Sequence, residues 1–337
     1  MLTVDLGIFA HNEAGRIATT LAGIEGQDIA ADPSVDFRAI VLSNGSRDQT
    51  VEIATARAST MEALEVVDLA EGGKSRTWNR FVHDLSRRQA DLLLFCDADI
   101  ALPEPGTLAR LCRFLDEHPQ LAAASSQPVK DIVHDPQDLS AFERAVAASG
   151  GGLTDWRRSI CGQLYAMRAE AARAFHLPIG LPVEDGFVRA MTLTRTWTAA
   201  EEPGLINGAA GVFHVYESER TIGALLRHQT RIVIGSAVNA AIYRHLDTLP
   251  RTAVSVELAA AAAEDGWLAR LLRERLPVWP FGWVPLAFLT KRVRAARTRG
   301  GLTLRAGVLL LLGVAFDAVV YVRAQVAMAR GTGAGHW

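Results

Sequence analysis

Short apolar runs alternate with amphipathic ones from the first residues of the chain. Residues 4–10, 37–42, 64–68 and 92–96 are dense in aliphatic and aromatic side chains and too short for helices, which predicts buried strands. Between them, residues 14–27, 48–58, 74–88 and 107–118 read as helices. This alternation predicts an α/β fold with a mostly parallel central sheet and helices on both faces. In such sheets ligands bind at the loops beyond the C-terminal ends of the strands. The polar clusters of this chain fall there: His11-Asn12-Glu13 after the first strand, Ser43-Asn44-Gly45-Ser46 after the second, Glu71-Gly72-Gly73-Lys74 after the third and Asp97-Ala98-Asp99 after the fourth.

Past residue 120 the pattern loosens. A helix is expected near 139–148, a break at Gly150-Gly151-Gly152, a strand near 163–167 and a helix from Glu184. Residues 221–246 and 252–273 read as long helices. Residues 276–289 are apolar but carry Pro277, Pro280 and Pro285, so no regular helix runs through them. The basic run Lys291, Arg292, Arg294, Arg297, Arg299 and Arg305 then leads into an apolar segment, 306–322.

Composition narrows the class. The 337 residues are 49% hydrophobic and 21% charged, too polar for a multi-span membrane protein. The net charge of −2 conceals an asymmetry: residues 275–337 hold nine Lys or Arg against one acid, Asp317, so this part carries +8 and the rest −10. A basic, apolar tail on an acidic body points to anionic lipid and away from nucleic acid. Cys96, Cys112 and Cys161 are odd in number and widely spaced, which implies neither a disulfide framework nor a zinc site and fits a reducing cytoplasm. No secretory leader is expected at the N-terminus, where Met1 runs directly into a strand-like segment containing Asp5.

Two carboxylates at the mouth of a buried strand, Asp97 and Asp99, are costly unless a cation joins them. Oxygen ligands of this kind suit Mg²⁺ or Mn²⁺ together with phosphate oxygens; a solvated acidic turn is the plainer alternative. In residues 43–50, Asn44 and Gly45 supply a tight turn and Asp48 is placed to cap the next helix, while the same polar side chains could read a nucleobase edge. Gly72-Gly73-Lys74 opens a helix where backbone and ammonium could meet a phosphate, without the spacing of a P-loop. Glu184-Asp185 begins a helix, where acids are favoured by the dipole whatever their function. His214 ends an apolar piece and is either structural or a ligand.

In their order and spacing these pieces resemble the GT-A glycosyltransferases, in particular the inverting family 2 type, over residues 3–235. The resemblance implies a metal-dependent transfer of sugar from a nucleotide donor. Glu13, Asn44 and Asp48 would surround the nucleobase and ribose, with Asn12 and Ser46 on the same loops. Gly73, Lys74 and Asn79 would lie near the donor's diphosphate and Asp97 near the ribose or sugar. Asp99 and His214 would hold the metal. Asp185 would be the catalytic base, Glu184 its neighbour toward the acceptor, and Gly162 the glycine-rich element before the acidic pair. Ser43-Asn44 stands where many members have two aspartates, which leaves the base open. The Gln-x-x-Arg-Trp motif of processive synthases is absent, and His228-Gln229-Thr230-Arg231 at a comparable place implies transfer of a single sugar.

The expected organisation is a catalytic domain at 1–235 (nucleotide-binding half 1–120, acceptor half 121–235), a helical extension at 236–275 and a membrane-associating tail at 276–337. Segment 306–322 is a candidate single span: it is short for one and contains Asp317, costing roughly 2.5–3.5 kcal/mol on insertion scales. Leu309, Leu312 and Phe316, however, share a helical face with Arg305 and Arg323, unlike the continuous polar face of an interfacial helix. Trp279 and Trp283 beside the basic run fit an interfacial segment at the cytoplasmic face, with a lipid or lipid-linked glycan as acceptor. The alternative is a hydrophobic hairpin folded onto the catalytic domain. A chain ending before Pro277 is expected to be soluble and to bind donor. Two other functions share the architecture: a sugar-nucleotide nucleotidyltransferase, which His11-Asn12-Glu13 disfavours by lacking a basic Gly-rich signature, and a non-catalytic binding protein, which would have lost Asp99 or Asp185.

Overall fold

The computed structural model describes residues 1–148, 155–275, 282–298 and 304–331. The glycine break at 150–152 and Pro277, Trp279, Pro280 and Arg299 lie outside the described residues. Eight strands form one sheet: β1 (Leu2–Ala10), β2 (Val35–Asn44), β3 (Leu64–Leu69), β4 (Leu92–Asp97), β5 (Ile100–Ala101), β6 (Ala123–Lys130), β7 (Leu164–Arg168) and β8 (Ile206–Tyr216). Their order is β3-β2-β1-β4-β7-β6-β8-β5. The first four pair in parallel, as their apolar runs imply. Beyond β4 the sheet is mixed, with β7 antiparallel to both β4 and β6 and β8 parallel to β6. The register sets Phe9 beside Asp97, Ala10 beside Ser43 and Asn44 beside Leu69, so the polar loops leave the sheet along one edge.

The period of two along each strand splits the core in two. Val4, Leu6 and Ile8 of β1 and Leu92, Leu94 and Cys96 of β4 pack with Ile17, Leu21, Ile24 and Leu111 on one face. Phe9, Leu93 and Phe95 point the other way, toward Trp78, Phe81, Phe187 and Val238. Each large side chain fully buried in this way stabilises the fold by roughly 1.5–3 kcal/mol. Beneath the strand ends, Phe95 stacks between Trp78 and Tyr165 with centroids 5.6 and 4.5 Å away, and the Trp78 indole N–H donates to the Tyr165 hydroxyl at 3.0 Å. This aromatic layer gives the site a rigid floor.

Four elements differ from the sequence reading. The helix after β3 is α-helical over Lys74–Asn79 and continues as a π-helix over Arg80–Leu85. The single helix expected at 252–273 is two, Val254–Ala263 and Trp267–Arg275, because Gly266 adopts φ +90 between them. Strands β6 and most of β8 escaped notice because they are built from Ala, Ser and Gly in place of branched residues.

The tail forms helices Ala287–Thr298 and Leu304–Ala329. Val320, Tyr321, Ala324 and Met328 of the second are buried in the core that also holds helix Ile222–Leu246. Leu309, Leu311 and Leu312 in its first half are 59, 72 and 63% exposed. Asp317 is buried and accepts from Arg292 at 2.8 and 3.2 Å, with Lys291 at 3.7 Å. Gly313 makes room for this pair, since a Cβ there would lie 2.9 Å from Arg292 Cδ. Buried Gln325 accepts from the Trp283 and Val284 amides and donates to the Val284 carbonyl. Half of the tail helix therefore packs on the catalytic domain and half presents leucines outward. Removing residues from 277 onward would uncover the part of helix Ile222–Leu246 that the tail helix covers.

Candidate active site

The edge where the strands end opens into a cavity of about 770 Å³. Phe9 and Ala10 of β1, Asn44 and Gly45 after β2, Gly72 and Lys74 after β3 and Asp97 to Asp99 after β4 line it, with His11, Asn12, Glu13, Arg47 and Arg231. The first two loops are knitted together. Asp48 accepts from the Ala14 amide at 3.0 Å and Thr50 from the Glu13 amide at 2.7 Å, while the Asn12 and Arg47 amides donate to Ser46 Oγ and Asn12 Oδ1. Asn12 adopts φ +55 and Gly45 φ +63, and a Cβ on Gly45 would lie 2.9 Å from the Gly72 nitrogen. Asn44 is buried, and its Oδ1 accepts from the Gly73 amide at 2.6 Å, fixing the mouth of the next helix.

Lys74 joins the two halves of the site. Its ammonium lies 2.7 Å from Asp97 at the end of β4 and 2.9 Å from Glu184 at the start of helix Asp185–Leu193. Burial alone would push the lysine pKa down, but Asp97 and Glu184 outweigh it and hold the ammonium protonated. Burial would raise Glu184 too, yet Lys74 keeps it below its ordinary value. Burial, reinforced by Asp99 and opposed by Lys74, lifts Asp97 to about 6. Burial and then Asp99 lift Glu13 to about 7. Burial and then Glu184 lift Asp185 to about 6.

Asp185 opens helix Asp185–Leu193, and its Oδ1 accepts from the Gly186 amide at 2.6 Å. Gly162 lies against it, where a Cβ would be 3.2 Å from Asp185 Cβ. His214 is fully buried; its ring nitrogens meet Ser126 Oγ at 3.0 Å and Gln163 Oε1 at 3.2 Å, and burial lowers its pKa to about 3. Asn79 is not brought to the cavity: both ends of its amide hold the Leu177 backbone at 2.8 Å. Ser46 and Asp48 act on loop shape and do not line the cavity. His11, in the strand-end cluster, and Arg231, in the His228–Arg231 stretch, reach the cavity wall without having been given a role from the sequence, and Arg47 joins them.

Among the described residues no three His, Cys, Asp or Glu side chains form a closed metal cage. The donor set still fits a divalent cation. Glu13, Asp97 and Asp99 face one cavity, and the Asp99 carboxylate raises the proton affinity of both Glu13 and Asp97, which is the charge excess a cation with phosphate co-ligands relieves.

A half-parallel sheet whose acidic strand ends are joined through a lysine to a second acidic pair has the layout of a GT-A glycosyltransferase. Residues 5–173 match the profile of Glycosyl transferase family 2, and the chain belongs to that family. A PGL/p-HBAD biosynthesis glycosyltransferase from Mycobacterium bovis, and its counterpart from Mycobacterium tuberculosis, are 33% identical over 95 residues, 27% of this chain and 34% of theirs. The match thus spans about a third of the length of these relatives. Among solved structures, the mannosyltransferase PcManGT from Pyrobaculum calidifontis, in complex with GDP-Man and Mn²⁺, aligns over 98% of this chain and 86% of its own at 19% identity and TM-score 0.55. Glucosyl-3-phosphoglycerate synthase from Mycobacterium tuberculosis, in complex with Mg²⁺ and uridine diphosphate, aligns over 74% and 80% at 19% identity and TM-score 0.46.

Proposed function

We propose that this glycosyltransferase moves a single sugar from a nucleotide donor to a hydroxyl of a lipid or lipid-linked glycan, with inversion, at the cytoplasmic face of a membrane. The observation that carries the reading is the Lys74 ammonium shared by Asp97 of the donor cavity and Glu184 of the acidic pair. One cation thereby sets the distance between the nucleotide pocket and the base. Glu13 and Asn44 take the nucleoside, on loops shaped by Asn12, Ser46 and Asp48. Gly73 and Lys74 serve the diphosphate, and Asp97 the ribose or sugar. Lys74 offsets the charge that gathers on the leaving diphosphate. Asp185, ionised above about pH 6, accepts the proton of the acceptor hydroxyl as that oxygen attacks the anomeric carbon from the opposite side. Asp99, with His214 once Gln163 releases it, would hold Mg²⁺ or Mn²⁺, which when bound supplies Lewis-acid neutralisation of the diphosphate. The basic tail and its outward leucines support attachment to an anionic surface.

The test is thermal stabilisation by a panel of UDP-, GDP- and dTDP-sugars with and without Mn²⁺, followed by turnover of the donor it selects. Asp99→Ala should abolish the metal-dependent part of donor binding. Asp185→Asn should keep fold and donor binding and lose turnover by about 10³-fold or more. Turnover near that of the unaltered protein would reduce the acidic pair to a helix cap.

A further inference from the structure

The turn that carries Glu184 and Asp185 is held from below by one helix, Ile222–Leu246, and by polar contacts at both of its ends. Asn239, 6% exposed, donates from Nδ2 to the Val183 carbonyl at 3.4 Å, and the Cα of Gly186 sits so close that a Cβ there would lie 3.4 Å from the same nitrogen. The Tyr243 hydroxyl, one turn further along, donates to the Gly186 carbonyl at 3.2 Å. The Tyr243 ring is fixed between Phe187 and Trp197, with centroids 5.9 and 5.0 Å away. One turn before Asn239, Gly235 accepts the Val183 side chain, where a Cβ would come within 2.5 Å of it.

Asn239 contributes little to stability for a buried amide. It makes one long hydrogen bond, and its Oδ1 is buried without a partner among the described residues. An unsatisfied buried acceptor is destabilising, and an apolar side chain of the same shape is ordinarily neutral or better. The amide therefore has a use other than stability, and the group it touches is the backbone on either side of the acidic pair. We infer that Asn239 and Tyr243 are positioning residues that fix the Val183–Gly186 turn, and with it the Asp185 carboxylate, against the acceptor. The inference rests on the proposed role of Asp185 as base.

Asn239→Leu, Tyr243→Phe and Asp185→Asn test it, with UDP-glucose and GDP-mannose plus Mn²⁺ as probes and release of the nucleoside diphosphate, water serving as acceptor, as the measure of turnover. Asn239→Leu should leave Tm unchanged or higher, leave donor affinity unchanged, and lower kcat about 10- to 100-fold, the loss expected for a reacting group displaced by a fraction of an ångström to an ångström. Tyr243→Phe, which keeps the ring packing and so folds in any case, should lower kcat several-fold with the same split. A kcat within twofold of the unaltered protein in Asn239→Leu, or a fall in Tm and donor affinity alongside kcat, overturns the positioning role. The third variant separates the two ideas. Full turnover in Asp185→Asn sinks the base assignment and this inference with it, whereas lost turnover there with normal turnover in Asn239→Leu sinks the positioning alone.

Discussion

Glu13 shows how a single side chain reports on the site. Its carboxyl is lifted by burial and by Asp99 to about 7, from 4.5 in the unfolded chain. The folded state thus holds this proton more tightly than the unfolded one. The associated loss of stability is absent below pH 4.5, grows through the interval to about 7 and is complete above it. Glu13→Gln in metal-free buffer should therefore match the unaltered protein near pH 4.5 and exceed it at pH 8 by about 1–2 kcal/mol, less than the full shift implies because solvent screens this half-exposed carboxyl. Urea unfolding at the two pH values checks this, and an equal difference at both would remove the electrostatic account. Added Mn²⁺ should narrow the gap at pH 8, because a bound cation relieves the same repulsion. Glu13, Asn44, Asp97 and Asp99 were legible as site residues because each ends or follows an apolar run. The Lys74–Glu184 contact was not, since 110 positions separate the two and only the packing of the acceptor half closes the gap.

At the scale of elements, the turn after β2 is a tight joint in the cavity wall. Gly45 combines φ +63 with backbone contact to Gly72, so it holds the second loop against the third. Gly45→Ala should cost about 2–3 kcal/mol, part from the left-handed conformation and part from parting the loops. Donor affinity should fall more steeply than stability, which paired urea titration and donor binding would show; an unchanged affinity would free the turn of any role in the pocket. The parallel strands β1 to β4 could be read from sequence because strands buried on both faces are near-continuous runs of large apolar residues. The strands beyond them could not. β6 reads Ala-Ala-Ser-Ser-Gln-Pro-Val-Lys, and its buried Ser125 and Ser126 are satisfied by partners, such as the Ser159 carbonyl and His214, that no local pattern discloses. The break at Gly266 was missed for the opposite reason: strong helical spacing on both sides masked one residue of positive φ.

For the molecule as a whole, the tail carries the proposed attachment to a membrane. Helix Ala306–Ala329 is long and apolar enough to cross a membrane, yet its Val320, Tyr321, Ala324 and Met328 are buried in the protein core, which favours attachment at the surface over a span. The proposed attachment is therefore to the surface, through Leu309, Leu311 and Leu312 and the basic run. Sedimentation with phosphatidylcholine–phosphatidylglycerol vesicles should show binding at low salt and release at about 1 M NaCl, where screening falls to a few ångströms. Retention until detergent is added would establish a span, and a protein that ignores the vesicles would end the membrane reading. The Arg292–Asp317 pair also bears on the order in which the molecule is made. Synthesis reaches Arg292 before Asp317, and both after the last strand of the sheet. Until the two helices meet, the most apolar stretch of the nascent chain displays a bare carboxylate, which disfavours entry into lipid. Once Arg292 closes over Gly313 the acid is neutralised and the leucines stand alone. In the proposed attachment, this pair removes the cost of the carboxylate and leaves Leu309, Leu311 and Leu312 as the face that meets lipid.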